Sequence, residues 1–273
     1  MNNNSEVTYI EDYAKFIRIS ALEMTRAGNS SHIACVLSMA DLLAELFGNY
    51  LTLKHEDPKY SERDRFILSK GHGGAGVYAA LAKKDFFDHE ILMSHYQNGS
   101  ALSGHVSHKG VPGVEFSTGS LGHGLPVAIG IALNAKLLGS KYKTVCLMGD
   151  GECNEGTTWE SALIASHHKL SSLTVIIDAN KYQSLRTTKE TLNMDPMSEK
   201  WDSFGWEVLD IDGHNINEIK SALHHEVDNK PKCIIANTIK GKGVSFMENN
   251  ILWHYRSPQK EEFEKAKLEL LRE

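Results

Sequence analysis

Strand-length apolar runs alternate regularly with helical segments, and that alternation constrains this chain more than any other feature. In the second half, apolar runs at 144–148, 173–178, 206–209 and 232–237 predict strands, and helical spacing predicts helices over 125–138, 158–169, 215–227 and 260–272. Strands separated by helices form parallel sheets, because parallel neighbours need a crossover and the crossover helices cover the sheet. The expected fold class is α/β, a parallel sheet flanked by helices on both faces. The first half agrees. Ile17, Ala21 and Met24, then Leu37, Leu42 and Leu46, sit at helical spacing over 9–28 and 34–48, with Gly28-Asn29 as the break. A short strand at 65–69 leads into the glycine-rich turn Gly71-His-Gly-Gly-Ala-Gly76, which opens a helix through about Lys83. Residues 98–124 read as one long loop rich in glycine and serine, and such loops usually serve a site. No repeat or linker divides the chain, so residues 1–273 are expected to form one domain.

Charge and cysteine content narrow the function. The formal net charge is -6 with acidic and basic residues interspersed, so there is no basic stripe to hold a nucleic acid. The start, MNNNSEVTYIEDYAKF, has neither a basic nor an apolar leader region, and no stretch approaches the roughly 20 apolar residues that span a bilayer. No membrane partner and a cytoplasmic location are expected. Cys35, Cys146, Cys153 and Cys233 lie far apart without a C-x-x-C pair, which predicts reduced thiols, three of them in the core.

One segment carries the chemistry. The run Thr144-Val-Cys-Leu-Met-Gly-Asp-Gly-Glu-Cys-Asn-Glu-Gly156 places Asp150 just past a strand's carboxyl end, where open α/β sheets bind ligands. Asn180 ends the next strand, Leu173-Thr-Val-Ile-Ile-Asp-Ala-Asn180, in the same way. A crossover would bring both oxygen side chains to one hard cation, leaving its other positions for phosphate oxygens, as Mg²⁺ prefers. Gly149 and Gly151 would let the backbone approach those phosphates. Taken alone, Gly-Asp-Gly is more often only a turn with a capping aspartate. The matched Asn after an intervening helix favours the cation.

That pair of motifs resembles the signature of thiamine-diphosphate enzymes. The resemblance implies Mg²⁺, or another divalent cation such as Ca²⁺ or Mn²⁺, held by Asp150, the Asn180 side chain and the Tyr182 carbonyl, with Gly151 touching the diphosphate. It also implies that Glu155 connects two cofactor sites across a subunit interface.

The 14 histidines point to a subfamily, because several lie in glycine-rich turns. Asp64-Arg-Phe-Ile-Leu-Ser-Lys-Gly-His72 closely resembles a transketolase segment. So do Gly104-His105, Thr118-Gly-Ser-Leu-Gly122, Phe204-Gly-Trp206, Asp212-Gly-His214, Lys240-Gly-Lys-Gly243 and Trp253-His254. These matches run from about 13 to 258, nearly the whole chain. The resemblance implies the cofactor-diphosphate domain of a transketolase, which transfers a two-carbon ketol unit from a ketose to an aldose. By it, His32, His72, His105 and His254 line a funnel over the thiazolium, with Lys240 and His254 also near the diphosphate. Gly119, Ser120 and Leu121 contact the cofactor. Proton exchange with sugar hydroxyls gives the imidazoles work, since a pKa near neutrality suits both directions. His89, His95, His167, His168, His224 and His225 are expected to be solvated helix residues, and His55 and His108 loop surface. Ser31, His123 and Tyr255 depart from the family pattern, all in the funnel region and none in the cation site.

Full transketolases continue into a pyrimidine-binding domain and a third domain. The resemblance therefore implies a separate C-terminal subunit of about 300 residues, in a heterotetramer, with sugar substrates: sugar phosphates, sulfosugars or branched sugars. Three rival readings remain. Gly71-x-Gly-x-x-Gly76 with Glu90 downstream would suit a dinucleotide-binding oxidoreductase, but the region after it does not read as a strand ending in an acid. An α subunit of a 2-oxoacid dehydrogenase would share Gly-Asp-Gly and Asn without the Ser-Lys-Gly-His and Trp-His segments. A non-catalytic accessory protein would have no use for the histidines.

Overall fold

A computed structural model describes residues 3–272. Five strands, β1 (Arg65–Leu68), β2 (Thr144–Gly149), β3 (Leu173–Ala179), β4 (Glu207–Asp212) and β5 (Lys232–Asn237), form one parallel sheet in the order β1-β2-β3-β5-β4. The helices are α1 (Asn3–Gly28), α2 (Ile33–Glu45), α3 (Gly74–Lys83), α4 (Gly124–Leu138), α5 (Gly156–His167), α6 (Thr188–Leu192), α7 (Met197–Ser203), α8 (Ile216–His224) and α9 (Lys260–Arg272).

Alternating side chains of each strand feed two cores, as a sheet covered on both faces requires. Phe66, Leu68, Val145, Leu147, Ile176 and Ile234 join the core under α1, α2, α3, α8 and α9. Ile67, Cys146, Met148, Val175, Ile177 and Ile235 join the one under α4, α5 and α7. The α/β expectation thus holds. Register sets Gly149 beside Asp178 and Ala179 beside Asn237, so β2, β3 and β5 end together at one edge of the sheet.

Several local expectations are corrected. The strand read at 206–209 runs from Glu207 to Asp212. Trp206 is instead fully buried, its indole N–H donating to the Ala162 carbonyl at 3.0 Å. Helices α6 and α7 were not anticipated; both are too short to show a periodicity. All four cysteines, not three, are buried, and all are free. His95 is not a solvated helix residue: it is buried against Tyr78 and meets the Ser30 hydroxyl at 3.3 Å. The apolar stretch Ile33–Tyr50 is long and apolar enough to cross a membrane, but 89% of it is buried in the core.

The dinucleotide reading fails on packing. Asp85 has a left-handed φ of 60°, and Glu90 is exposed in the 3-10 turn His89–Ser94, with no strand among the described residues between β1 and β2. A Cβ on Gly76 would meet Leu43 and Val36 of α2 at 2.9 Å, so this glycine serves helix contact rather than a phosphate.

Candidate functional site

A cavity of about 390 Å³ opens where β2, β3 and β5 end. Asp150, Gly151, Asn180 and Tyr182 line it at the strand ends, His32, His72, His105 and His254 form a second group, and Gly119 and Leu121 also line it. Lys240 joins the two groups, its ammonium 3.0 Å from His254 Nδ1. The structure thus gathers eleven of the thirteen residues singled out in the sequence. The other two stand outside: Ser120 is exposed in its turn, and Glu155 is exposed at the start of α5.

The strand-end group is a hydrogen-bonded frame. Asp150 accepts the Gly151 N–H at 2.8 Å and the Lys181 N–H at 2.7 Å, tying the turn after β2 to the turn after β3. Burial and the nearby charge of Asp178 push the Asp150 carboxyl up to about 7. That displacement from 3.8 is a cost on the order of 4 kcal/mol to the charged form, which a divalent cation would offset. Asn180 donates to Asp178 at 3.0 Å, which leaves its amide oxygen to accept the Tyr182 N–H at 3.1 Å with a lone pair to spare.

Residues that sequence reasoning gave no role complete this frame. Lys70 pairs with Asp178, which also accepts from Ser38 at 2.6 Å and from Thr238. Burial works against the Asp178 charge, but Lys70 and these donors outweigh it and hold the carboxyl below its usual range. Glu152 collects the Ser69 hydroxyl at 2.6 Å, the Gly122 N–H at 2.9 Å and the Gly149 N–H at 2.8 Å, binding three glycine-rich turns together. One of these residues was legible: a charged Asp178 inside the apolar run Val-Ile-Ile-Asp-Ala needs a buried partner.

In the imidazole group, ring centroids lie 5.0 Å apart for His32 and His72, 5.0 Å for His32 and His254, and 5.9 Å for His32 and His105. His32 holds a left-handed φ of 75°, a conformation that costs about 1 kcal/mol or more in a residue with a Cβ. Its N–H donates to the His254 carbonyl at 3.0 Å, which joins the two segments. Burial lowers His32 to about 4 and, with the Lys240 charge, His254 to about 3. Burial also lowers His72 and His105. All four rings are therefore neutral at pH 7, lower than the near-neutral titration expected from the sequence. The Lys240 ammonium contacts His254 Nδ1 at 3.0 Å; since an ammonium only donates, the His254 proton sits on Nε2.

This arrangement suits an anionic, metal-bridged ligand with a reactive end under the imidazoles. A Cβ on Gly149 would meet only Lys70 Cδ at 3.7 Å, so the glycine leaves that side of the cavity clear. His32 Nδ1 is buried without a partner. Among the described residues no three His, Cys, Asp or Glu side chains cluster as a metal site. That fits a cation completed by an amide, a main-chain carbonyl and phosphate oxygens.

The fold is a parallel α/β sheet with a cavity at the ends of its central strands. The chain matches, over residues 10–270, the family described as transketolase, thiamine diphosphate binding domain. It is 41% identical over 264 residues to one of the subunits of the apulose-4-phosphate transketolase of Actinobacillus succinogenes, covering 96% of this chain and 95% of that one. It is 37% identical to a 6-deoxy-6-sulfo-D-fructose transketolase subunit of Clostridium sp., covering 97% of each. Transketolase from Leishmania mexicana superposes with a TM-score of 0.91 at 29% identity, covering 96% of this chain and 41% of that one. The chain belongs to the transketolase family. It matches the subunit-length relatives nearly end to end and spans about two fifths of the solved transketolase.

Proposed function

We propose that this chain is the diphosphate-binding subunit of a thiamine-diphosphate-dependent transketolase, moving a two-carbon ketol unit from a ketose to an aldose. The observation that carries the proposal is that one cavity brings Asp150 and Asn180 together with four neutral imidazoles. Asp150, the Asn180 oxygen and the Tyr182 carbonyl would hold Mg²⁺, or Ca²⁺ or Mn²⁺ in its place, and Gly151 and Lys240 would face the diphosphate. When bound, the cofactor supplies the electron sink for carbon–carbon cleavage.

The chain's own groups position and move protons. Neutral His72 and His105 can accept a proton from a donor hydroxyl, while His254 holds one at Nε2 for donation to a substrate oxygen. The 2-oxoacid dehydrogenase reading has no use for this ring cluster.

Two relatives matched over nearly their whole length are named as subunits, which supports a partner subunit, of about 300 residues in a heterotetramer. An exposed apolar face adds support: Leu137 and Leu138 of α4 are 77% and 70% exposed beside Leu163 and Ile164 of α5. Such a face is the kind an obligate interface covers. Exposed Glu155, just before α5 and beside Gly122, would connect paired cofactor sites across the subunit interface. Ser120 would meet the cofactor through the same assembly. The substrate is a sugar phosphate, sulfosugar or branched sugar phosphate. Four free cysteines fit a cytoplasmic location.

The test is Asp150→Ala. Mg²⁺-dependent thiamine diphosphate binding should disappear by calorimetry of the assembled enzyme; unchanged affinity would remove the basis for the assignment.

A further inference from the structure

Asp212-Gly-His214 matched the family pattern, yet His214 lies outside the cavity and takes no part in the chemistry above. Its ring joins two distant parts of the fold. Nδ1 lies 2.7 Å from Asp41 Oδ2 on α2, and Nε2 accepts the Ile239 N–H at 2.9 Å in the turn after β5. A carboxylate accepts and a backbone N–H donates, so the proton sits on Nδ1 and the Nε2 lone pair faces Ile239. Asp41 is itself clamped by Arg18 of α1 through two bonds of 3.0 and 2.6 Å, and both residues are buried. That fork leaves the carboxylate little freedom to reorient.

The residue after Ile239 is Lys240, whose ammonium reaches the carbonyls of Tyr182 and Gln183 at 3.2 Å each. Its turn is anchored on both sides. Thr238 bonds to Asp178, Ile239 to His214, and the Gly241 N–H to the Ala34 carbonyl at 2.9 Å. Gly241 has a φ of +82°, and a Cβ there would meet the Met247 carbonyl oxygen at 2.3 Å, so the turn has little room to relax. The His214 anchor is the only one of the three supplied from the β4–α8 connection.

We propose that His214 is a positioning residue for Lys240: it fixes the turn that aims the ammonium into the cavity, and Arg18 and Asp41 fix the ring. The inference rests on the proposed function only for what Lys240 binds. Two variants separate position from packing. Leu fills similar space without an acceptor, whereas Gln offers a donor and an acceptor at nearly the spacing of the ring nitrogens.

The full chain is followed by amide hydrogen exchange over 237–243, by calorimetry with Mg²⁺ and inorganic diphosphate, and by thermal melting. His214→Leu should exchange at least about tenfold faster there and bind magnesium diphosphate about 10–100-fold more weakly, the usual worth of an outer-shell partner. His214→Gln should stay within about threefold of the parent on both. Parental exchange and affinity in His214→Leu would overturn the proposal. So would equal losses in both variants with matching drops in melting temperature, which would make the ring mere packing. If the parent chain does not bind magnesium diphosphate, the exchange comparison alone decides the role of His214, while the proposed function is judged separately by thiamine diphosphate binding in the assembled enzyme.

Discussion

Around Asp150 two other buried carboxylates are satisfied within the chain, while Asp150 itself keeps a charge that a cation would offset. Asp178 gathers Lys70, Ser38, Asn180 and Thr238, and Glu152 gathers three donors. Among the imidazoles His32 Nδ1 is buried with nothing to bond, and burial keeps the rings uncharged. Apart from Asp150 and the Asn180 oxygen, the frame is thus satisfied before any ligand arrives, whereas the rings keep hydrogen-bonding capacity in reserve. Binding machinery gains from preorganisation, because each donor already fixed need not be ordered later. Proton-transfer groups must stay free to exchange partners. Damage to the two groups should therefore appear in different measurements.

The largest effect should come from the imidazoles. Replacing His105 or His254 with Ala in the assembled enzyme should cut turnover by roughly 10²–10⁴-fold, the usual contribution of a positioned acid or base. His105 is exposed at the mouth, so His105→Ala should leave the melting temperature nearly unchanged. Normal steady-state rates in both variants would mean that the rings only line a wall.

Acid should distinguish burial from location. His95 lies outside the cavity and His32 inside it, yet both are lowered to about 4, first by burial. Between pH 6.5 and about 4 the unfolded chain takes up a proton that the folded His95 refuses. Its contribution to stability is full above 6.5 and is lost as the pH falls toward 4, roughly 3 kcal/mol for so buried a ring. Denaturant titrations across that window should show stability falling with acid, and His95→Phe should flatten the slope. An unchanged slope would show that the His95 proton is accommodated in the folded state.

Why one group was more legible than the other follows from the same contrast. Gly-Asp-Gly and the terminal Asn180 are local patterns at strand ends, and histidines in glycine turns stand out in a linear reading. The Lys70–Asp178 pair spans 108 positions and the Ser69–Glu152 bond 83, so only the fold brings these residues together. Strands β2, β3 and β5 were legible because their apolar runs are continuous. Edge strand β4 was misplaced because only part of each face is covered and Trp206, just before it, belongs to the core. His95 was misread for a similar reason: nothing local reveals that the loop folds back over it.

Glu152 offers the smallest and most discriminating test of the frame. Burial raises its carboxyl above the usual value, which argues for relieving the charge, yet all three of its partners donate to it, and two of them, the Gly122 and Gly149 N–H groups, could not accept a proton from it. Glu152→Gln sets these effects against each other. The amide oxygen can keep Ser69 and Gly122, but the NH₂ then confronts the Gly149 N–H, leaving a buried donor unsatisfied at about 1–3 kcal/mol. Relief of desolvation offsets part of that, so a net loss near 1 kcal/mol is expected, read as a lower denaturation midpoint at constant slope. Because Gly149 borders Asp150, cofactor affinity should fall while turnover at saturating cofactor holds. A variant more stable than the parent would mean that the carboxyl is held protonated and that the cost of burial, not the three donors, decides its state.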